Sequence, residues 1–254
     1  MPAVLEKPSL IWTKDELVAM YLFGVKLTDD RGTPYSDLMF ENWIASAQRT
    51  VERELDITLT PRHIVDEKHA FVPWDFRQWG HVNLFCNPII KVTRFQLKFP
   101  AGGDTVYEFP TDWITWDENP GSGRVQIVPA TAASMPQMLA AAGFNLLSYG
   151  NRIIPDMIRV DYDAGLTHVP PDIRHIVGML ASIDILNIAG DMLGGAGVAS
   201  RSLSIGGLSS SVSTTSSPSF AGYGARIIQY NKQIKEMYGR IKADMGRHIR
   251  MTVA

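Results

Sequence analysis

Between two apolar-striped segments the chain runs through Ser200-Arg201-Ser202-Leu203-Ser204-Ile205-Gly206-Gly207-Leu208-Ser209-Ser210-Ser211-Val212-Ser213-Thr214-Thr215-Ser216-Ser217-Pro218-Ser219. No other stretch restricts the fold as much. It is too long for a helix–helix turn, which usually takes about 2–8 residues. It is not a pure solvated linker either, because Leu203, Ile205, Leu208 and Val212 sit among the serines. Ser202-Leu203-Ser204-Ile205 alternates polar and apolar, the pattern of a half-buried strand. A half-buried strand between two helices needs a surface to bury against. The expected surface is another copy of the same chain.

The flanking segments read as helices. Val169-Pro170-Pro171-Asp172 is a start signal, since proline is tolerated where backbone donors are already unpaired. From there Ile173, Ile176/Val177, Leu180, Ile183 and Leu186/Asn187 form one broad apolar face, predicting a helix over 171–191. After the arm, Ile227, Tyr230, Ile234, Met237, Ile241 and Met245 recur at three and four residues, predicting a helix over 223–246. The basic residues of this helix lie mostly opposite that stripe. From residue 225 onward the charge is +5, within a chain whose net charge is −2. Such asymmetry favours a basic tail meeting an acidic partner, or like subunits meeting head to tail.

Two helices precede these. Thr13-Lys14-Asp15-Glu16 has the capping-box layout, followed by Leu17, Met20, Tyr21 and Val25. A longer helix over 37–55 places Phe40, Trp43/Ile44, Ala47, Val51 and Leu55 on one face, leaving Arg49, Glu52, Arg53 and Glu54 on a solvated or interfacial one. At Thr60-Pro61 the period changes. His63-Ile64-Val65, Ala70-Phe71-Val72, Asn87 to Phe99, Val106 to Phe109, Trp113 to Trp116, Arg124 to Pro129 and Ile158 to Tyr162 read as short strands with glycine-rich turns between them. Residues 131–150 are small and apolar and fit an extra helix or a loop equally. The expected fold is α+β: a bundle of three or four helices (1–60 and 163–254, arm about 197–221) with an inserted antiparallel β domain (61–162).

Chemistry is sparse. There is no phosphate-loop motif, no nucleophile elbow and no metal-protease histidine pair. Gly195-Ala196-Gly197-Val198-Ala199-Ser200 follows a helix rather than a strand, so its glycines fit the start of the arm better than a dinucleotide site. Asp66-Glu67 between His63 and His69 admits a hard-cation site, against the plainer reading of hydrogen-bonded histidines. Asp184 is a carboxylate on an apolar helix; a buried carboxylate needs a partner, so a subunit contact or a neighbouring Arg/Lys is expected there rather than catalysis. Trp74, Phe76, Arg77, Trp79, Trp113 and Trp116 can be read as base-stacking groups or, more simply, as core and interface anchors. The lone Cys86 precludes an intrachain disulfide or a thiolate cluster and fits a reducing compartment. No signal peptide or membrane span is expected, because the most apolar window carries Asp184 and Asp191.

Three passages resemble the head–tail connector (adaptor, or head-completion) proteins of tailed bacteriophages. They are Trp43-Ile44-Ala45-Ser46-Ala47-Gln48-Arg49-Thr50-Val51-Glu52-Arg53-Glu54-Leu55, then Asn87-Pro88-Ile89-Ile90-Lys91-Val92 with its hairpins, and Val160-Asp161-Tyr162-Asp163-Ala164-Gly165-Leu166 running into Val169-Pro170-Pro171-Asp172-Ile173. The resemblance implies a non-enzymatic virion neck protein, assembled in the host cytoplasm, with neither cofactor nor metal. It implies a dodecameric ring beneath the portal, contacts to tail or neck-completion proteins, and non-specific passage of DNA. Leu203, Ile205, Leu208 and Val212 are then the expected subunit-interface residues of the arm. Arg226, Tyr230, Lys232, Lys235, Arg240 and Arg247 are the expected portal contacts of the last helix. The large β insertion and the serine-rich arm depart from compact members of that family. The competing expectation is a carbohydrate-binding or host-acting module or enzyme of a phage particle, working through Trp113 and Trp116 in the β region.

Overall fold

The computed structural model describes residues 9–29, 31–72, 81–99, 103–117, 122–128, 153–194, 200–205, 208–213 and 223–251. The chain is α+β and divides into two compact units, one built from Ser9–Leu55 with Val169–Asp244, the other centred on Asp56–His168.

The first unit holds α1 (Lys14–Tyr21), α2 (Asp37–Leu55), α3 (Pro171–Gly194) and most of α4 (Gly224–Met251). The capping box forms as the sequence predicts: Thr13 Oγ1 accepts from the Glu16 amide while the Glu16 carboxylate accepts from the Thr13 amide. Phe40, Ile44, Ala47, Val51 and Leu55 of α2 are buried in the expected stripe. Helix α3 has the length and apolarity to cross a bilayer, but Ile176, Val177, Met179, Ala181, Ile185 and Leu186 are wholly buried, as in the core helix of a globular unit. Its buried surface is wider than predicted and turned from it: Met179, Ala181 and Ile185 join the core, whereas Leu180 and Ile183 stay half-buried.

In the second unit, β1 (Arg62–Phe71), β7 (Ile154–Ala164), β3 (Ile89–Lys98) and β4 (Thr105–Glu108) form a four-stranded sheet in that order. A three-stranded sheet runs β2 (His81–Asn83), β6 (Arg124–Ile127), β5 (Ile114–Trp116), and all these pairs are antiparallel. Residues of both sheets share one core, including Phe95, Leu97, Val125, Ile127, Ile158 and Tyr162. The two short strands expected before residue 72 are a single strand. Asp66 sits at φ 58 where the β1–β7 register shifts, and the resulting bulge breaks the alternation that the sequence displays. The short β2 carried no alternation long enough to read. Residues 131–150, Trp74, Phe76, Arg77 and Trp79 lie outside the described residues.

One polar side chain, largely buried, joins β1 to β7. Glu67 on β1 accepts from the Tyr162 hydroxyl at 2.5 Å and from the Phe85 amide at 2.9 Å, with His69 Nε2 2.7 Å away. Burial alone would raise the Glu67 carboxyl; these hydrogen bonds outweigh it and hold the group below its ordinary value of 4.5. Tyr162 is pushed up, by burial first and by Glu67 second. Across the sheet Arg94 meets Asp161 at 2.7 Å, and Arg159 meets Asp66 at 2.8 Å. At the end of β7, Gly165 adopts φ +129, and a Cβ there would lie 2.6 Å from the Thr60 carbonyl oxygen. Only glycine fits this crossing.

Gly165→Ala adds backbone strain to a clash with main-chain atoms and should cost about 3 kcal/mol in urea unfolding. Glu67→Gln should cost about 2 kcal/mol at pH 7. A carboxyl depressed in the folded state stabilises above its unfolded value and loses that contribution as pH falls through its folded one. The gap between wild type and Glu67→Gln should therefore narrow below pH 4.5.

Candidate functional site

Helix α3 is locked to α1 through one aromatic ring. A Cβ on Gly178 would lie 2.3 Å from Tyr21 Cε2, so the ring of Tyr21 rests on bare α3 backbone. Its hydroxyl lies 2.6 Å from His175 Nδ1, one turn earlier on α3. Trp12 and Tyr230 each pack edge-on against the same ring. Burial, with Tyr230 second, pushes the Tyr21 phenol up to about 12, so it stays a neutral donor–acceptor at physiological pH. Trp12 Nε1 donates to the Arg174 carbonyl at 2.8 Å, the Arg174 guanidinium lies 4.0 Å from the Trp12 ring centroid, and it also pairs with Glu16.

Helix α4 is tied to the same group. The Tyr230 hydroxyl donates to the Tyr21 carbonyl at 3.1 Å, Arg226 donates to the Phe23 carbonyl at 3.5 Å, and Lys242 pairs with Glu54 of α2 at 2.9 Å. Ile227 and Ile234 are buried, as the stripe predicts. Of the six residues expected on a portal-facing surface, Arg226 and Tyr230 thus bond inside the unit. Lys232, Lys235 and Arg240 face solvent on the opposite side. Arg247 lies on the α4 backbone, its side chain outside the described set.

The arm is an antiparallel hairpin of β8 (Ser200–Ile205) and β9 (Leu208–Ser213). Ser200 pairs with Ser213, Ser202 with Ser211 and Ser204 with Ser209; Arg201 pairs with Val212, Leu203 with Ser210 and Ile205 with Leu208. Because neighbouring residues of a strand alternate between faces, one face of the hairpin consists of serines alone. The other holds Leu203, Ile205, Leu208 and Val212 together with Arg201 and Ser210. The sequence pointed to a strand at 202–205 but not to its partner, whose Leu208-Ser209-Ser210-Ser211-Val212 lacks strict alternation. Only the register brings the four apolar positions together.

Asp184 differs from the expectation of a buried carboxylate: it is exposed, because α3 is rotated to bury Ile185 and Leu186 instead. The apolar groups around it still strip away enough water to raise its carboxyl. No charge or hydrogen-bond partner reaches it among the described residues. Nearby Asn187 Oδ1 is enclosed and also lacks a partner among them.

The residues weighed for other chemistry are placed apart or otherwise engaged. His63 bonds to Asp163 at 2.6 Å, His69 to Glu67, and Asp66 to Arg159. Trp113 is 5% exposed and belongs to the β core, so it offers no face to a sugar or a base. Trp116 lines a shallow cleft of about 270 Å³ with Thr115, Asp117, Arg124 and Gln126.

No protein-family model matches the sequence, and no curated protein does. Among solved structures, this chain is distantly similar to one in the neck of an empty gene transfer agent (GTA) particle. The identity is 16% and the TM-score 0.41, over 70% of this chain and 82% of the other. A second similarity is to a chain in the virion of a native gene transfer agent particle, with 17% identity and a TM-score of 0.36 over 66% and 74%. At such distance the functional reading rests on this chain's own residues.

Gly178→Ala should destabilise the protein by about 1–2 kcal/mol in chemical denaturation. Alanine is the better helix former, but its methyl would dislodge Tyr21 from His175, Trp12 and Tyr230.

Proposed function

We propose that this chain is a non-enzymatic structural protein of a tailed-phage-like virion, a head–tail adaptor of the neck. In this reading it forms a dodecameric ring beneath the portal, extends the DNA channel and docks the tail or neck-completion proteins. The helical unit with its arm is the adaptor core, and the β unit is an insertion within it.

The observation that carries this reading is the two-faced hairpin. A two-stranded hairpin is marginal in water by itself, and this one gathers its apolar positions on a single face. Such a face is stabilised by burial against a partner surface. The serine face keeps the arm soluble before assembly. The ring contact is heterologous, arm on one side and acceptor surface on the other, which closes when the rotation between subunits closes. Two further features support the reading: the three passages that resemble head–tail connectors, and the solvent-facing Lys232, Lys235 and Arg240 of α4, suited to an acidic portal surface.

The full-length protein mixed with its portal should co-sediment as a ring, and a chain lacking residues 202–217 should remain folded yet fail to do so. Unchanged assembly by the deleted chain would overturn the reading.

A further inference from the structure

The adaptor reading gives the arm a neighbouring subunit but names no surface on it. Helix α3 provides one. Leu180, Asp184, Asn187, Ile188 and Asp191 fall at i, i+4, i+7, i+8 and i+11, which is one face of a helix. That face is half-buried to exposed, and Met192 beside it is 51% exposed. It is a mixed face, with Leu180 and Ile188 set among Asp184, Asn187 and Asp191 and with Met192 alongside. Asp184 lies within it, with no cation within reach among the described residues.

The hairpin face has the complementary composition. Its register places Leu203, Ile205, Leu208 and Val212 on one side with a single charge, Arg201. Dimensions agree as well. At 1.5 Å per residue the stripe from Leu180 to Asp191 is about 16 Å long. A six-residue strand at 3.3 Å per residue covers about 20 Å. Among the described elements, none packs broadly on the hairpin.

We infer that the apolar face of the arm docks along the Leu180–Asp191 face of α3 in a second copy of this chain, with Arg201 pairing with Asp184. The inference rests on the ring reading and specifies where in the ring the arm ends. It leaves the solvent-facing Lys232, Lys235 and Arg240 of α4 for the portal contact, so the two contacts use different residues. It also accounts for the acidic α3 residues without assigning them chemistry.

Two measurements on the full-length chain test it. In the first, all chains carry Cys86→Ser, removing the native thiol. One chain, enlarged by a tag, carries Leu208→Cys and the other Ile188→Cys. Assembled together on the portal and oxidised, they should give a disulfide-linked dimer containing one chain of each kind. A ring without that dimer overturns the docking site and leaves the ring reading standing. So does a chain bearing both cysteines that closes only on itself, which would mean the arm folds back on its own α3. No ring from the wild-type chain and portal overturns the ring reading itself, and the docking site with it.

In the second measurement, Arg201→Glu and Asp184→Arg should each raise the concentration needed for half-assembly about tenfold or more. The chain with both changes should return close to the wild-type value, since every subunit in a head-to-tail ring presents both surfaces. A double variant no better than the single ones overturns the Arg201–Asp184 pairing. Asp184→Asn, neutral and nearly isosteric, should weaken assembly with the fold intact; equal assembly at low salt would overturn it too.

Discussion

The Tyr21 ring lying on the bare backbone of Gly178 is the contact on which the helical unit depends. A side chain at 178 would hold α1 away from α3, and Trp12, His175 and Tyr230 could no longer meet around one phenol. Because Tyr230 belongs to α4 and donates to the Tyr21 carbonyl, the placement of the last helix follows from the same notch. Packing of this kind adds little apolar area beyond an ordinary core. Its effect is specificity: one ring, two edge-on partners and one hydroxyl–imidazole hydrogen bond hold three helices in register.

Much of that arrangement could be read from the residues, and the parts that could not share a cause. The capping box at Thr13, the α2 stripe and the proline start of α3 are local signals, and each appears where its pattern lies. Helix α3 is different because apolar residues surround it. With Ile, Leu, Met and Ala on nearly every side, periodicity cannot say which face turns inward: it points to Leu180 and Ile183, whereas Met179 and Ile185 occupy the core. The same rotation leaves Asp184 exposed rather than buried. The Gly178 notch left no trace in any pattern, since a lone glycine in a helix has many meanings until its neighbour is known.

In the β unit the pleat is legible where it runs unbroken, as in β6, and is lost where the backbone departs from it. The bulge at Asp66 split one strand into two apparent ones. Glu67 and His69 are near neighbours on β1, but Tyr162 lies 95 positions from Glu67, and only the β1–β7 pairing brings it to them. Trp113 and Trp116 looked equivalent in sequence. The 3-10 turn Thr111–Trp113 sends the first into the core, while the second lies half-buried beside a shallow cleft. For the arm, composition marks four apolar residues among serines, but their common face is a property of pairing, which composition does not contain.

The serine face of the hairpin has an effect that appears only in many copies. In the ring proposed above, identical surfaces of neighbouring subunits would be repeated around the assembly, and any charge on them would be repeated with them. Like charges so placed repel one another, and a basic lining would hold passing phosphates by displacing their counterions. Hydroxyls hydrogen-bond with water and with each other without either consequence. Serine at 200, 202, 204, 209, 211 and 213 would therefore keep such a repeated surface electrically silent, however many subunits the proposed ring contains.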